Sequence, residues 1–172
     1  MKALFLLAFF SGLLMINTLP IPNGSYRIKS AKYGTYWDLC GSDTSCSNPF
    51  NIFLNHFLGD IFQTFVVSAA PNGYYTITAF YNGKVVTVAD SKNPADTIFL
   101  ADAKSEDYNQ QFVFVARGDN AYIIKPRTLL KEAIQPPAKE SDEIFLDNKD
   151  CKTSQQHFVL EPLPDWLTFG NR

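Results

Sequence analysis

Histidine, cysteine and clustered positive charge are all scarce in this chain, and each shortage removes a class of function. His56 and His157 are the only histidines, and neither stands at a Cys/His spacing suited to zinc, so no metal site is expected. A hydrolase triad needs a histidine with a nucleophile and an acid in reach, and no nucleophile-elbow pattern occurs. The acids Asp90, Asp102, Glu106 and Asp107 are scattered in loops. No catalytic constellation and no cofactor are expected, and the chain reads as non-enzymatic. Formal net charge is −2, without a run of lysine or arginine. That disfavours nucleic acid, whose phosphates demand a basic face.

Long apolar runs are missing after the first residues. Lys2 precedes an uncharged stretch from Ala3 to Ile16, broken by Asn17, Thr18 and Pro20. This is short of the ~20 apolar residues a membrane span needs. It reads as a signal peptide over residues 1–18, with cleavage near Thr18. No later stretch could cross a bilayer, so the mature chain is expected to be secreted and extracellular. Cysteines number three, Cys40, Cys46 and Cys151, an odd count for an exported chain. Cys40 and Cys46 flank a short polar loop and are the favoured bridge; Cys40–Cys151 and Cys46–Cys151 are the alternatives.

What the chain has in abundance is repetition. Ile52-Phe53-Leu54 returns as Ile98-Phe99-Leu100 and Ile144-Phe145-Leu146, a fixed spacing of 46 residues. Each copy is followed by Gln-x-Phe, at Gln63-Thr64-Phe65, Gln110-Gln111-Phe112 and Gln156-His157-Phe158. A period in this range means a repeat architecture. Each unit opens on a turn (Asn23-Gly24, Asn72-Gly73, Gly118-Asp119-Asn120) and a strand around Tyr26, Tyr75 or Tyr122. A second strand follows, Tyr36–Leu39 in the first unit and Val85–Val88 in the second. In the third it is expected near Leu129 to Ile134, closed by Pro136-Pro137.

No helical period of apolar residues appears after the signal segment. Hydrophobic residues make up 46% of the chain and charged residues 19%, a globular composition. Four short strands in each of three units predict an all-β chain of twelve strands. Propellers usually carry four or more blades, so three units favour a β-trefoil with pseudo-threefold symmetry. The domain is expected to span residues 19–164, with repeats at about 23–70, 71–116 and 117–162 and a tail at 165–172.

The period of two in a strand fixes the side-chain logic. Ile and Leu of Ile-Phe-Leu share the core face. Phe53, Phe99 and Phe145 then point away and need a loop or a neighbouring hairpin to cover them. A buried Gln in Gln-x-Phe must be hydrogen-bonded, most simply to loop backbone. Asn23-Gly24-Ser25 is an N-glycosylation sequon. Arg117-Gly118-Asp119 sits where a repeat-joining turn needs glycine and aspartate.

Three units of this length ending in Gln-x-aromatic resemble the ricin B-type β-trefoil lectins, across residues 23 to 162. The run Gly34 to Leu39, the Ile-x-Leu strand and Gln63-x-Phe65 match that family's order of elements, with Phe in place of its usual Trp. The resemblance implies glycan or glycoprotein binding, with up to one shallow site per repeat. Such a site uses an Asp late in the second strand, an aromatic after the Ile-x-Leu strand and an Asn before the Gln.

In the first repeat the resemblance implies Asp38, Asn55 at the platform position, and Gln63, with His56 or Trp37 as further contributors and Phe62 in place of the Asn. In the second, Asn109 and Gln110 match, but Thr87 replaces the acid and Ala101 the aromatic. In the third, Gln155 precedes Gln156, Asp147 takes the platform position, and Ala133 is the nearest residue to the acid. An alternative is a protease inhibitor acting through the loop Gln135 to Glu143, with Lys139 entering a trypsin-like pocket.

Overall fold

The computed structural model describes residues 20–39, 50–89, 98–135, 144–147 and 156–164, with residues 145–147 described by their backbone alone. The expected signal segment, Cys40, Cys46, Cys151, Lys139, Gln155 and the tail at 165–172 lie outside the described residues. Twelve strands run through the rest. They are β1 (Gly24–Ser30), β2 (Tyr36–Leu39), β3 (Ile52–Asn55), β4 (Phe65–Ala69), β5 (Tyr75–Ala79) and β6 (Val85–Val88). They continue as β7 (Ile98–Ala101), β8 (Phe112–Gly118), β9 (Ala121–Pro126), β10 (Ala133–Gln135), β11 (Phe145–Asp147) and β12 (Phe158–Pro162). The described residues hold no α-helix, and no helix among them is long and apolar enough to cross a membrane.

The pairing closes a barrel. β1 pairs with β4, β4 with β5, β5 with β8, β8 with β9, β9 with β12, and β12 returns to β1, all antiparallel. Closure leaves these six strands without a free edge. The remaining strands form three hairpins, β2–β3, β6–β7 and β10–β11. The hairpins meet one another at the Ile-Phe-Leu strands: Leu100 donates its N–H to the Phe50 carbonyl at 2.7 Å, and Ile144 to the Ile52 carbonyl at 3.0 Å. This is a β-trefoil, four strands to a repeat.

Threefold sets of side chains fill the barrel. Phe65, Phe112 and Phe158, the aromatics of the three Gln-x-Phe segments, are fully buried. Ile28, Ile77 and Ile124 form a second set from the first strand of each repeat. Each such side chain contributes roughly 1.5–3 kcal/mol by its removal from water. Trp37, also fully buried, meets Phe65 and Phe158 edge-on at centroid distances of 5.7 and 5.5 Å. Tyr26 and Tyr75 hold the chain's entry into the barrel: the Tyr26 hydroxyl donates to the Pro22 carbonyl at 2.7 Å, and the Tyr75 hydroxyl accepts from the Ile21 N–H at 3.0 Å.

Ile52, Leu54, Ile98 and Leu100 face the core, while Phe53 and Phe99 are half-buried on the other side of their hairpins. The Phe99 backbone bridges to Asn51 of the first repeat. In the third repeat the expected strand near Leu129 begins later. Residues 127–131 turn instead, with Leu129 donating to the Pro126 carbonyl and Glu132 to the Leu129 carbonyl. The strand is Ala133–Gln135. Between β8 and β9, Asp119 and Asn120 both take positive φ, 48° and 56°. That is the type I′ geometry that matches hairpin twist, so Arg117-Gly118-Asp119 is part of a hairpin turn.

A barrel centred on three phenylalanines should respond sharply to truncation there. Phe112→Ala is expected to lower stability by about 3–5 kcal/mol, and Phe53→Ala, half-buried on a hairpin, by less than half as much. Urea denaturation followed by tryptophan fluorescence reads both; equal losses would contradict this placement of the core.

Candidate functional site

Period two sets Tyr36 and Asp38 on one face of β2, opposite Trp37 and Leu39, which enter the core. Across the hairpin, Tyr36 pairs with Asn55 and Asp38 with Phe53. Tyr36, Asp38, Phe53 and Asn55 therefore share the face turned away from the core. The chain leaving β3 folds back over this face through residues 56–60 and the short 3-10 turn Ile61–Gln63, capped by the Asp60 carboxylate on the Phe62 N–H.

Gln63 locks that return. Its amide nitrogen donates to Asp38 Oδ2 at 3.2 Å and to the His56 carbonyl at 2.7 Å. Its amide oxygen accepts from the Leu58 and Gly59 N–H groups at 2.9 and 3.3 Å. Gly59 has φ +75°, and a Cβ there would stand 3.3 Å from the Phe57 ring. Glycine thus lets the loop bring Phe57 over the hairpin. Phe57 packs on Tyr36 at 5.4 Å and under the Arg27 guanidinium at 4.9 Å, yet remains 55% exposed. The Tyr36 hydroxyl donates to Glu161 of β12 at 3.1 Å, and Lys29 joins the same carboxylate at 3.4 Å.

Asp38 is buried, only 4% exposed. Burial pushes its carboxyl above the ordinary carboxylate range, while hydrogen bonds from Asn55 (3.1 Å) and Gln63 pull it back. Both of those donors meet Oδ2. Oδ1 is buried, and the Leu39 backbone N–H adds a smaller downward pull on the carboxyl.

The structure thus gathers Asp38, Asn55, Gln63 and the His56 backbone into one network. Asn55 is held inside it, its Oδ1 accepting from the His56 N–H at 2.9 Å, and the aromatic side chains on this hairpin beside Asp38 are Phe57 and Tyr36. Trp37 is a core residue and cannot contribute. Phe62 packs on Tyr81 at 4.5 Å.

Gln110 repeats the latch of Gln63. It donates to Thr87 Oγ1 at 3.1 Å and to the Asp102 carbonyl at 2.9 Å, and accepts from the Lys104 N–H at 2.9 Å. Asn109 gives its backbone N–H to Asp107 at 2.9 Å. In the third repeat Gln156 Nε2 donates to Gln135 Oε1 at 3.4 Å.

Gln135 pairs across its hairpin with Phe145, as Asp38 does with Phe53 and Thr87 with Phe99. The residue corresponding to Asp38 is therefore Gln135, not Ala133. The turn at 127–131 moves the strand, and counting along the sequence missed it. Tyr36 also shares the face of Asp38, two residues before it on the same strand, a neighbour that period two makes legible in the sequence. Asn23, the sequon residue, is exposed, with its Oδ1 accepting from the Ala69 N–H at 2.7 Å. Among the described residues no group of three or more His, Cys, Asp or Glu could hold a metal ion.

The fold and these three latches define a β-trefoil protein. No protein-family model matches the chain, and no curated protein matches it. Solved structures do. The designed threefold-symmetric protein ThreeFoil aligns over 81% of this chain and 99% of its own, with a TM-score of 0.70 and 19% identity. A ricin B-like lectin of Macrolepiota procera, solved in complex with lactose, aligns over 85% of this chain and 100% of its own, with a TM-score of 0.65 and 14% identity. A mosquitocidal holotoxin aligns over 86% of this chain at a TM-score of 0.69 and 14% identity, but this chain spans only 18% of it. At such identities the likeness is one of fold.

The latch separates two substitutions of Asp38. Asp38→Ala strands two buried amide donors and should cost about 1–3 kcal/mol. Asp38→Asn keeps an acceptor without the buried charge and should match or exceed the wild type at neutral pH, by up to about 1 kcal/mol. The folded state holds the Asp38 proton more tightly than the unfolded chain does. This contribution therefore favours folding below the ordinary carboxylate range and weakens as pH rises through the raised value. The advantage of Asp38→Asn should shrink as pH falls, which melting curves across the acidic range will show.

Proposed function

We propose that this protein is an exported, non-catalytic carbohydrate-binding trefoil of the ricin B-like kind, and that its first repeat carries the site. One observation supports this above the others. The Gln latch needs only an acceptor on the second strand, and Thr87 and Gln135 serve in the other repeats. Asp38 alone is a carboxylate, held where burial disfavours its charged form. A carboxylate on the same hairpin face as the aromatic pair Tyr36 and Phe57 is the combination a sugar site uses. A hydroxyl supplies the donor and the ring supplies a C–H face for Phe57. The lactose complex of the Macrolepiota lectin makes galactosides a reasonable first class to try. The inhibitor alternative rests on Lys139, outside the described residues, and no observation favours it.

A glycan array on the purified protein, followed by calorimetry on the best sugar, tests the reading. Asp38→Asn should fold normally and bind at least about tenfold more weakly, a loss of ~1.4 kcal/mol. Phe57→Ala, at an exposed position, should weaken binding about as much through the lost stacking. An empty array, or wild-type affinity in both variants, would sink the assignment.

A further inference from the structure

A second departure from threefold symmetry lies where the second repeat meets the third. Directly after the first strand of each repeat, one residue donates its N–H to the carbonyl of the middle residue of a Gln-x-Phe segment. The three pairs are Ala31 with His157, Phe80 with Thr64, and Arg127 with Gln111, at 2.9, 3.0 and 2.8 Å. The scaffold accepts a methyl group and a phenyl ring at this position. It has no need of a guanidinium.

Arg127 is nevertheless tightly placed. Its Nη1 donates to Gln111 Oε1 at 2.6 Å, and Gln111 is itself buried. Its Cζ lies 3.7 Å from the centroid of the Tyr108 ring and 4.5 Å from that of Tyr74. Four further N–H donors of the guanidinium take no hydrogen bond within the described residues. No carboxylate there pairs with it; the adjacent acid Asp107 turns Oδ1 to the Asn109 N–H. The side chain is half-exposed, and Tyr108 beside it is 51% exposed. A guanidinium fixed by two rings and an amide, with its remaining donors unspent, is preorganised for a planar or tetrahedral anion.

We infer that Arg127, Tyr108, Tyr74 and Gln111 form a second binding site, for the carboxylate or sulfate of an acidic saccharide. The anion takes the unspent edge of Arg127, and the sugar ring packs beside it on Tyr108. That the anion is borne by a saccharide rests on the function proposed above; the anion site itself rests on Arg127. The site shares no residue with the Asp38 network.

Calorimetric titrations at low salt with glucuronic acid, galactose 6-sulfate, galactose and inorganic sulfate test it. The wild type should bind at least one charged sugar about tenfold or more tightly than galactose, and the two charged sugars distinguish carboxylate from sulfate. Arg127→Gln should abolish that preference. Arg127→Lys keeps the charge but not the fork and should retain only a fraction of it. Tyr108→Ala should weaken the charged sugar without changing inorganic sulfate. Asp38→Asn and Phe57→Ala should leave the affinity for the charged sugar and its loss in Arg127→Gln intact even where they weaken galactose, so failure of one site is visible apart from the other. The inference is overturned if charged and neutral sugars bind alike. It is also overturned if Arg127→Gln lowers only the melting temperature, as a purely structural stack would. Inorganic sulfate binding as tightly as the sulfated sugar overturns the saccharide assignment.

Discussion

A buried primary amide recurs at the end of every repeat, and the loops beside each hairpin depend on it. One glutamine side chain offers two donors and an acceptor, so it can tie three chain segments at once. Gln63 joins β2, the His56 carbonyl and the Leu58–Gly59 backbone. Gln110 joins β6, the Asp102 carbonyl and the Lys104 N–H. Burial makes the arrangement obligatory. An amide out of water that leaves a donor unpaired costs about as much as several good contacts return. The loops after β3 and β7 are therefore fixed by the latch together with their own caps at Asp60 and Asp107.

The latch is indifferent to what accepts on the second strand. A carboxylate, a hydroxyl and an amide carbonyl all serve, in Asp38, Thr87 and Gln135. The N–H contact after the first strand is equally indifferent, taking Ala31, Phe80 and Arg127. Repetition thus supplies an internal control that a single-copy fold lacks. Where two copies show a neutral residue to be sufficient, the third copy's charge needs a reason outside the scaffold. Sequences that agree with their fold nearly everywhere tend to break local rules at functional positions. Asp38 and Arg127 both depart from the other two copies, one at an acceptor and one at a donor.

The repeat was legible because identical tripeptides stand at a fixed interval, and period two then sorted Ile and Leu from Phe. The buried role of the glutamines followed from polar satisfaction alone. What escaped lay across long sequence distances or behind an irregular turn. Glu161 meets Tyr36 only because β12 closes against β1. Arg127 meets Tyr74 and Tyr108 only because β5, β8 and β9 converge. Gln135 was hidden by the turn at 127–131, which displaces its strand from the place that spacing implied. The Asn55 amide donates to Asp38 and accepts from the His56 N–H, a matter of geometry that residue type does not reveal.

The energetics explain how such departures are tolerated. A domain of this size is stable by about 5–15 kcal/mol. The barrel sets Phe65, Phe112, Phe158 and Ile28, Ile77, Ile124 each supply a share of that from positions remote from the hairpin faces. The Asp38 carboxylate sits on a hairpin, outside the closed six-stranded ring. Its desolvation is a local cost, offset by the donors of Asn55 and Gln63 rather than by the barrel. Arg127 likewise lies beyond the end of β9, with its head on tyrosine rings instead of in the core. The hairpins send Trp37, Ile52, Leu54, Ile98 and Leu100 into the core, while their other faces stay outside it. A trefoil can therefore change charge in one repeat while the other two keep the fold.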